Sequence, residues 1–216
     1  MKAICGGRLV LHDRIETGKA VLFEEKIVGI VPQDQLPAGT EKIEVGGALV
    51  TPGLFDVHIH GSGGCDTMDG TVEALHTIAS TIVRNGVTRF LPTSVTLPLQ
   101  RTGEAFDVVR SVAGRSGEGW DAAVIEGINM EGPFISPAYK GAHEESYIAG
   151  FDFDFVREYS DIIRLMTVAP EKEGGMEFIR KVTSETPVRV AIGHTAATYE
   201  QAIEAIENGA TPVSYT

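Results

Sequence analysis

Two histidines set two residues apart, His58 and His60, are the side chains of this sequence best suited to chemistry. They stand in the short apolar stretch Pro-Gly-Leu-Phe-Asp-Val-His-Ile-His-Gly at 52–61. On a β-strand, residues i and i+2 point to the same face, so both imidazoles, with Asp56 on that face, would be directed at one point. Glycines after the strand let the backbone approach a bound ligand. The spacing predicts a metal-binding pair; the competing interpretation is a pair of hydrogen-bonded core histidines.

A carboxylate and a further histidine follow two other apolar runs. Glu131 lies in Gly-Ile-Asn-Met-Glu-Gly-Pro-Phe at 127–134, and His194 lies in Val-Ala-Ile-Gly-His-Thr at 190–195. A carboxylate at the mouth of a strand can bind a hard or borderline metal. Side chains on parallel strands converge only at the rim, so the three motifs together predict one site. The alternatives are a buried structural carboxylate for Glu131 and a helix-capping role for His194.

The elements that must position these residues alternate along the chain from residue 51. We expect strands at 54–60, 89–95, 122–130, 163–170, 188–194 and 211–215. An apolar stripe of helical period covers 72–83, and another covers 202–206. Thr198 and Gln201 form the capping box that opens the latter helix. This βα series predicts a parallel sheet.

A parallel sheet of this kind is either doubly wound or closed into a barrel. No Gly-x-Gly-x-x-Gly or Walker pattern follows a strand, which weakens the nucleotide-binding alternative. The polar residues of interest all stand at carboxyl ends of strands, where a (β/α)₈ barrel places its active site. We therefore expect an α/β fold of the TIM-barrel type.

The domain organisation follows from the change of rhythm near residue 50. Residues 1–50 contain short strands at 3–11, 18–23, 26–32 and 42–50, which indicate part of a small β-sandwich. A complete barrel needs about 250 residues. Residues 51–216 would supply about its first six strands, so we expect the barrel to be incomplete at its C-terminal end.

Composition excludes several classes of function. The net charge is −12 and the pI is near 4.9, without a basic stripe, which argues against nucleic-acid binding. No segment approaches the roughly 18 consecutive apolar residues of a membrane span, and the N-terminus lacks a signal-peptide core. We expect no membrane partner, a cytoplasmic location, and free thiols at Cys5 and Cys65.

These motifs give the sequence a resemblance to the N-acetylglucosamine-6-phosphate deacetylases of the amidohydrolase superfamily. The resemblance covers essentially the whole chain, and its most specific parts are Glu-Gly-Pro-Phe and Lys-Gly-Ala-His. The matching motifs lie, in order, at 52–61, 129–134, 140–143, 193–195 and 208–211. The resemblance implies a metal-dependent hydrolase barrel that converts N-acetylglucosamine 6-phosphate to glucosamine 6-phosphate and acetate in amino-sugar catabolism.

The resemblance also implies roles for individual residues. It makes Glu131 and His194 metal ligands, and it makes His58 with His60 the second metal position of two-metal members. His143, with the backbone around Gly132 and Ala142, would contact the sugar. The competing interpretation of His143 is an ordinary loop histidine. The cofactor would be a divalent ion, and Zn and Fe both suit His and carboxylate ligands.

The sequence departs from the family at its C-terminal end. Tyr215 stands where the family has another histidine ligand, and a phenol with a pKa near 10 is a poor ligand at neutral pH. The family's general acid and base, an aspartate, would lie beyond Thr216. The resemblance therefore implies no catalytic acid or base within this chain, and reduced or absent activity for residues 1–216 alone.

The expected partner is a small amino-sugar phosphate, and we expect a homodimer or a higher homo-oligomer. Two alternatives remain open. One is an amidohydrolase that acts on another amide or on a cyclic amide, against which the 140–143 loop argues. The other is an inactive scaffold whose open sheet edge, with its unpaired backbone groups, binds a second copy.

Overall fold

The chain forms two compact units. A computed structural model describes residues 1–117 and 119–211, and the units are Met1–Gly53 and Leu54–Thr216.

Seven short strands build the first unit. They are β1 (Lys2–Cys5), β2 (Arg8–Val10), β3 (Ile15–Glu16), β4 (Lys19–Phe23), β5 (Ile27–Pro32), β6 (Glu41–Glu44) and β7 (Leu49–Val50). One sheet has the order β5-β4-β1-β6, and the other has β3-β2-β7. Buried residues of β1 and β4 alternate with more exposed ones, as a half-buried sheet requires. The small core that results contains Ala3, Cys5, Ala20 and Leu22.

The two longest strands expected in this unit were wrong in extent. The stretch 3–11 divides into β1 and β2, and the stretch 42–50 divides into β6 and β7. Gly6, with φ 68°, and Gly46, with φ 56°, stand at the two breaks. Glycine enters this left-handed region at little cost, so the chain turns there instead of continuing as a strand.

The second unit alternates strands and helices. Its strands are β8 (Leu54–Ile59), β9 (Gly61–Ser62), β10 (Cys65–Asp66), β11 (Val87–Pro92), β12 (Val124–Ile125), β13 (Ile128–Glu131), β14 (Ile163–Val168) and β15 (Arg189–Ile192). Its helices are α1 (Val72–Val83), α2 (Leu99–Val112), α3 (Phe153–Glu158), α4 (Gly175–Glu185) and α5 (Tyr199–Glu207). Short 3₁₀ helices in the two units lie at Gln33–Gln35, Thr67–Asp69, Pro137–Tyr139 and Glu145–Tyr147.

The main strands of this unit pair in parallel and in chain order. β8 pairs with β11, β11 with β12, β13 with β14, and β14 with β15. A parallel bridge between Thr93 and Asn129 connects the two groups, and a bridge between Ala191 and Thr211 extends the series. Successive parallel strands linked by helices are typical of a (β/α) barrel. The α/β architecture is confirmed, and closure into eight strands stays a prediction.

Two of the expected strands differ in the structure. The run 122–130 is divided into β12 and β13 at Gly127, where φ is 140° and an added Cβ would lie 2.4 Å from the carbonyl oxygen of Ile162. This close approach leaves no room for an ordinary strand residue. Of the expected strand 211–215, Thr211 forms a bridge, and the rest, with Tyr215, lies outside the described residues.

Local sequence patterns account for the helices well. α1 has the bounds that its apolar stripe predicted, and the Thr71 side chain caps it by accepting from the amide of Ala74. The capping box of Thr198 and Gln201 opens α5 as expected. The helices pack on the sheet through a core whose largest buried side chains include Phe90, Phe106, Phe134, Met130 and Met166.

The cysteines and the lengths of the helices bear on two expectations from composition. Cys5 and Cys65 are free thiols, as expected. In the part of the chain that the structure describes, no helix combines the length and the apolar character that a membrane crossing requires.

Candidate metal centre

Three strand ends bring the chemistry-bearing residues together. Glu131 is the last residue of β13, His58 lies in β8 with His60 just beyond its end, and His194 follows β15 by two residues. His143 comes from the long segment between β13 and α3. The site is thus at the carboxyl ends of parallel strands, where the chain leaves the sheet and side chains can converge.

Glu131 is the centre of the cluster. Its side chain is 4% exposed, and its Oε2 lies 3.3 Å from Nε2 of His58, 2.9 Å from Nε2 of His60 and 3.7 Å from Nε2 of His143. Its Oε1 lies 2.9 Å from Nε2 of His194. A single buried carboxylate therefore faces four imidazoles. Asp56 is not among these clustered groups, and Oδ1 of its carboxylate accepts from the backbone amide of His58.

The donor set fits a divalent transition metal. His58, His60 and Glu131 form one group of three ligand atoms within 4.8 Å of one another, and Glu131, His143 and His194 form a second. Imidazole nitrogens with a carboxylate are typical ligands of Zn and also suit Fe. Because the two oxygens of Glu131 face different histidines, this carboxylate belongs to both groups.

The orientation of two rings is set by backbone carbonyls. Nδ1 of His60 lies 3.2 Å from the carbonyl oxygen of Thr93, and Nδ1 of His194 lies 2.9 Å from that of Tyr139. A carbonyl oxygen only accepts, so Nδ1 carries the proton in each ring and the neutral ring keeps its lone pair on Nε2. In the neutral ring this lone pair faces Glu131, whereas in a ring that carries both protons the same Nε2 donates to the carboxylate. Metal-ligating histidines are commonly fixed in this way.

His143 has the opposite arrangement. Its Nδ1 accepts a hydrogen bond from the backbone N–H of Thr96 at 3.0 Å. In the neutral ring the proton therefore lies on Nε2, the atom that faces Glu131. His143 thus presents a hydrogen-bond donor to the centre of the site, whereas His60 and His194 present acceptors. Its side chain is 5% exposed, which holds this arrangement away from water.

The charges of the cluster are strongly coupled. Burial opposes ionisation of Glu131, yet hydrogen bonds from His58, His60 and His194 hold the pKa of its carboxyl far below the usual range. The hydrogen bond to Glu131 raises the pKa of His60, although burial acts against this. Burial lowers the pKa of His143. Glu131 thus favours the protonated form of His60, whereas burial favours the neutral form of His143.

The backbone at His194 is strained. Its φ is 48°, and among the described residues it is the one non-glycine residue with positive φ. Such a conformation costs on the order of 1–3 kcal/mol and persists only where surrounding contacts impose it. Two contacts join His194 to the segment after β13: its ring to the carbonyl of Tyr139, and its own carbonyl oxygen to the amide of Ser136 at 2.8 Å.

The residues expected to contact a sugar lie around this cluster. Gly132 has φ 73°, and a Cβ added there would lie 2.0 Å from Oγ1 of Thr96. Ala142 is exposed, next to the buried His143. A cavity of about 370 Å³ beside the cluster is lined by Tyr139, Gly141, His194 and Thr195. The individual roles of Gly132, Ala142 and His143 stay predictions.

Sequence reasoning missed the groups that orient the site. Thr93, Thr96 and Tyr139 act through their backbone atoms, and no residue type signals such a contact. Ser94 accepts from the backbone amide of Glu131 through its hydroxyl at 3.1 Å. The polar run Thr-Ser-Val-Thr at 93–96, directly after β11, was the one available sign that this strand end also belongs to the site.

The ring protonation can be tested by nitrogen NMR of the metal-free chain. At a pH above the pKa of His60, we expect His60 and His194 to be protonated on Nδ1 and His143 on Nε2, because the backbone partners of the three rings differ. Addition of Zn²⁺ should shift the Nε2 resonances of His60 and His194 much more than that of His143. An Nδ1-protonated His143 would contradict the arrangement.

The charge coupling predicts different titrations for two histidines. In the metal-free chain, the pKa of His60 should lie above 6.5 and that of His143 below it. By linkage, the stability that His60 contributes is complete below pH 6.5 and is lost as the pH rises through its folded pKa. His143 affects stability in the opposite sense, because folding favours its neutral form. The folded state therefore loses stability as the pH falls below 6.5. NMR titration of the ring protons measures both values.

The Glu131→Gln variant is the control for that titration. Removing the carboxylate charge should lower the pKa of His60, and it should lower that of His143 further, because Glu131 raises both. An unchanged pKa of His60 in this variant would show that Glu131 is not its partner.

Comparison with known proteins identifies the class to which this fold and site belong. Residues 49–216 match the Amidohydrolase family, and the chain belongs to that family. Within it, the chain is 34% identical over 180 residues to the N-acetylglucosamine-6-phosphate deacetylase of Lysinibacillus sphaericus, covering 80% of this chain and 44% of that protein. The corresponding enzyme of Homo sapiens is 32% identical over 219 residues, which cover 97% and 51%.

Further relatives extend the comparison. The N-acetylgalactosamine-6-phosphate deacetylase of Escherichia coli O157:H7 is 36% identical over 167 residues, covering 75% of this chain and 43% of that protein. The crystal structure of N-acetylglucosamine-6-phosphate deacetylase from Pasteurella multocida matches with a TM-score of 0.88 at 29% identity, covering 97% of this chain and 55% of that one. The resemblance inferred from the motifs is confirmed. The chain spans about half the length of the curated relatives it matches.

Proposed function

We propose that this chain is the N-terminal part of a metal-dependent deacetylase that hydrolyses the acetamide of N-acetylglucosamine 6-phosphate to glucosamine 6-phosphate and acetate. The observation that carries the chemistry is the arrangement around Glu131, where two histidines present lone pairs and a third presents a donor. The substrate is taken from the names of the similar enzymes, which act on N-acetylated amino-sugar phosphates.

The proposed role of each residue follows from which of its ring nitrogens carries a proton. Glu131 and His194 would hold one divalent cation, and His58 with His60 would hold a second beside it. When bound, such a cation acidifies water and polarises an amide carbonyl, which makes hydrolysis feasible at neutral pH. His143 would donate its Nε2 proton in a hydrogen bond to the acetamide oxygen, on which negative charge develops during attack.

His143 suits this role because its ring is held neutral. Burial lowers its pKa, and the amide of Thr96 occupies its Nδ1, so the ring keeps the Nε2 proton as a donor across the neutral pH range. The resemblance places the general acid and base, an aspartate, in the part of the relatives beyond this chain. We therefore assign no proton-transfer step to residues 1–216, and we expect little or no turnover from them alone.

The similar enzymes are named for two sugar substrates that are epimers of each other. The similar E. coli O157:H7 enzyme is named for the galactosamine substrate, whereas several relatives are named for the glucosamine one. The epimers differ only in the orientation of one hydroxyl. The cyclic-amide alternative gains no support, because the likeness to a D-hydantoinase, at 18% identity and a TM-score of 0.51, shows the fold alone.

The experiment is a measurement of acetate release from both 6-phosphorylated sugars. The chain is completed with the C-terminal part of a similar deacetylase, and that deacetylase itself serves as the positive control. We expect release with a preference for the glucosamine substrate. A folded, metal-loaded protein that releases acetate from neither sugar would refute the proposal, and a reversed preference would reassign the substrate to the galactosamine epimer.

Assembly and location remain part of the proposal. A homodimer or higher oligomer and a cytoplasmic location are expected, and a mass measurement in solution tests the first. A strictly monomeric, well-folded particle would contradict assembly through an open sheet edge.

A further inference from the structure

Glu171 stands in the turn after β14, next to the loop that carries His194. One oxygen of its carboxylate accepts from the backbone amide of Ala196 at 2.7 Å, and the other accepts a hydrogen bond from the hydroxyl of Thr195. That hydroxyl in turn accepts from the amide of Ala197 at 2.9 Å. A single side chain from a neighbouring strand end thus organises the three residues that follow His194.

These contacts matter because His194 is held in an unfavourable conformation. On its N-terminal side, the amide of Gly193 donates to the carbonyl of Val168 at 3.2 Å, which fixes the end of β15. On its C-terminal side, Glu171 supplies the restraint. Hydrogen bonds to a carboxylate are stronger than those between two neutral groups. They can therefore stabilise a strained backbone conformation that a turn without them would not keep.

We propose that Glu171 is a positioning residue for His194, whose left-handed backbone it maintains so that Nε2 faces Glu131. The inference rests on the proposed function in taking His194 as a metal ligand. Glu171 itself does not reach the cluster, since its two oxygens are engaged by residues 195 and 196. It acts through the loop, as an outer partner acts on a ligand.

Hydrogen exchange in the metal-free chain tests the positioning directly. The amide of Ser136 donates to the carbonyl oxygen of His194, so its exchange rate reports whether His194 is in place. In Glu171→Ala, exchange at Ser136 and Ala196 should accelerate roughly tenfold, the factor that corresponds to losing one net hydrogen bond. The control is Glu173→Ala, because Glu173 is exposed and makes no hydrogen bond or ion pair within residues 1–117 and 119–211.

Conservative variants separate positioning from general damage to the fold. Thr195→Ser keeps the hydroxyl that donates to Glu171 and should exchange like the parent chain, whereas the nearly isosteric Thr195→Val should resemble Glu171→Ala. Unchanged exchange at Ser136 in both Glu171→Ala and Thr195→Val would overturn the proposal. Equal acceleration in Thr195→Ser and Thr195→Val would also overturn it, because the hydroxyl would then be irrelevant.

Metal affinity supplies a second readout. Glu171→Ala should weaken Zn²⁺ binding roughly 10–100-fold, the usual effect of losing an outer partner of a ligand. In a His194→Ala background the same change should cause no further loss, because a residue that acts through His194 has nothing left to position. An equal loss in both backgrounds would refute the proposal. Absence of Zn²⁺ binding by the parent chain would refute the proposed function instead, and the exchange rates would still decide the role of Glu171.

Discussion

Replacing Glu131 with glutamine is expected to abolish tight binding of a divalent cation while the unit Leu54–Thr216 stays folded. Both oxygens of Glu131 face imidazole nitrogens, so each candidate group of ligands loses its one anionic member. Loss of an outer partner already costs roughly 10–100-fold in affinity, and loss of a ligand shared by both groups should exceed that range. Calorimetric titration with Zn²⁺ measures the change.

The Glu126→Gln variant is a matched control for that experiment. Glu126 precedes β13, carries the same charge, and pairs with Arg89 away from the histidines. Its replacement should leave Zn²⁺ affinity within about twofold, because Glu126 belongs to neither group of candidate ligands. Loss of its ion pair with the exposed Arg89 should cost only about 0–1 kcal/mol of stability. If Glu131→Gln bound Zn²⁺ as tightly as Glu126→Gln, Glu131 would not be a ligand, and the proposed centre would have to be abandoned.

Replacing Gly132 with alanine is expected to cost several kcal/mol of stability. Its φ of 73° is unfavourable for a residue with a Cβ, and that atom would lie 2.0 Å from Oγ1, 3.2 Å from Cβ and 3.4 Å from Cα of Thr96. Rotating the Thr96 side chain would relieve only the first contact, so its backbone must shift as well. Thr96 is buried, and its amide holds the ring of His143. The clash should therefore also disturb the donor of the site.

A second glycine separates the two causes of that loss. Gly174 has a similar φ of 79°, but nothing lies within 4 Å of an added Cβ. Gly174→Ala should therefore cost only the left-handed backbone penalty, roughly 1–2 kcal/mol. Denaturant unfolding of both variants measures the difference. Equal losses of stability would show that Thr96 tolerates the Cβ and that position 132 requires glycine only for its left-handed backbone.

The sequence was informative wherever a local pattern determines a local structure. The apolar stripe at 72–83 predicted α1, and the Thr198 and Gln201 pair predicted the start of α5. Errors arose where the chain changes direction within an apolar run, as at Gly6 and Gly127. A β-propensity pattern continues through such a position, because propensity reflects side chains and not the backbone angle that neighbouring strands impose.

The candidate site shows the same difference between what local sequence patterns predict and what the folded backbone decides. His58 and His60 could be paired from sequence because a strand repeats every two residues, and their Nε2 atoms lie 3.4 Å apart in the structure. That Glu131 and His194 join them followed from the expectation that the carboxyl ends of parallel strands meet at one rim. Residue types, strand period and chain order were sufficient for this much.

What each histidine presents to the site was decided only by tertiary structure. The carbonyls of Thr93 and Tyr139 leave lone pairs on two rings, and the amide of Thr96 leaves a proton on a third. The restraint of Glu171 on the loop after His194 likewise joins residues 24 and 25 positions apart. Every residue carries a carbonyl and nearly every residue an amide, so no residue letter records which of them a folded chain will bring against an imidazole. The sequence determined which groups could meet at the rim, whereas the packing of neighbouring loops determined their protonation, because the hydrogen bond on one ring nitrogen dictates the state of the other.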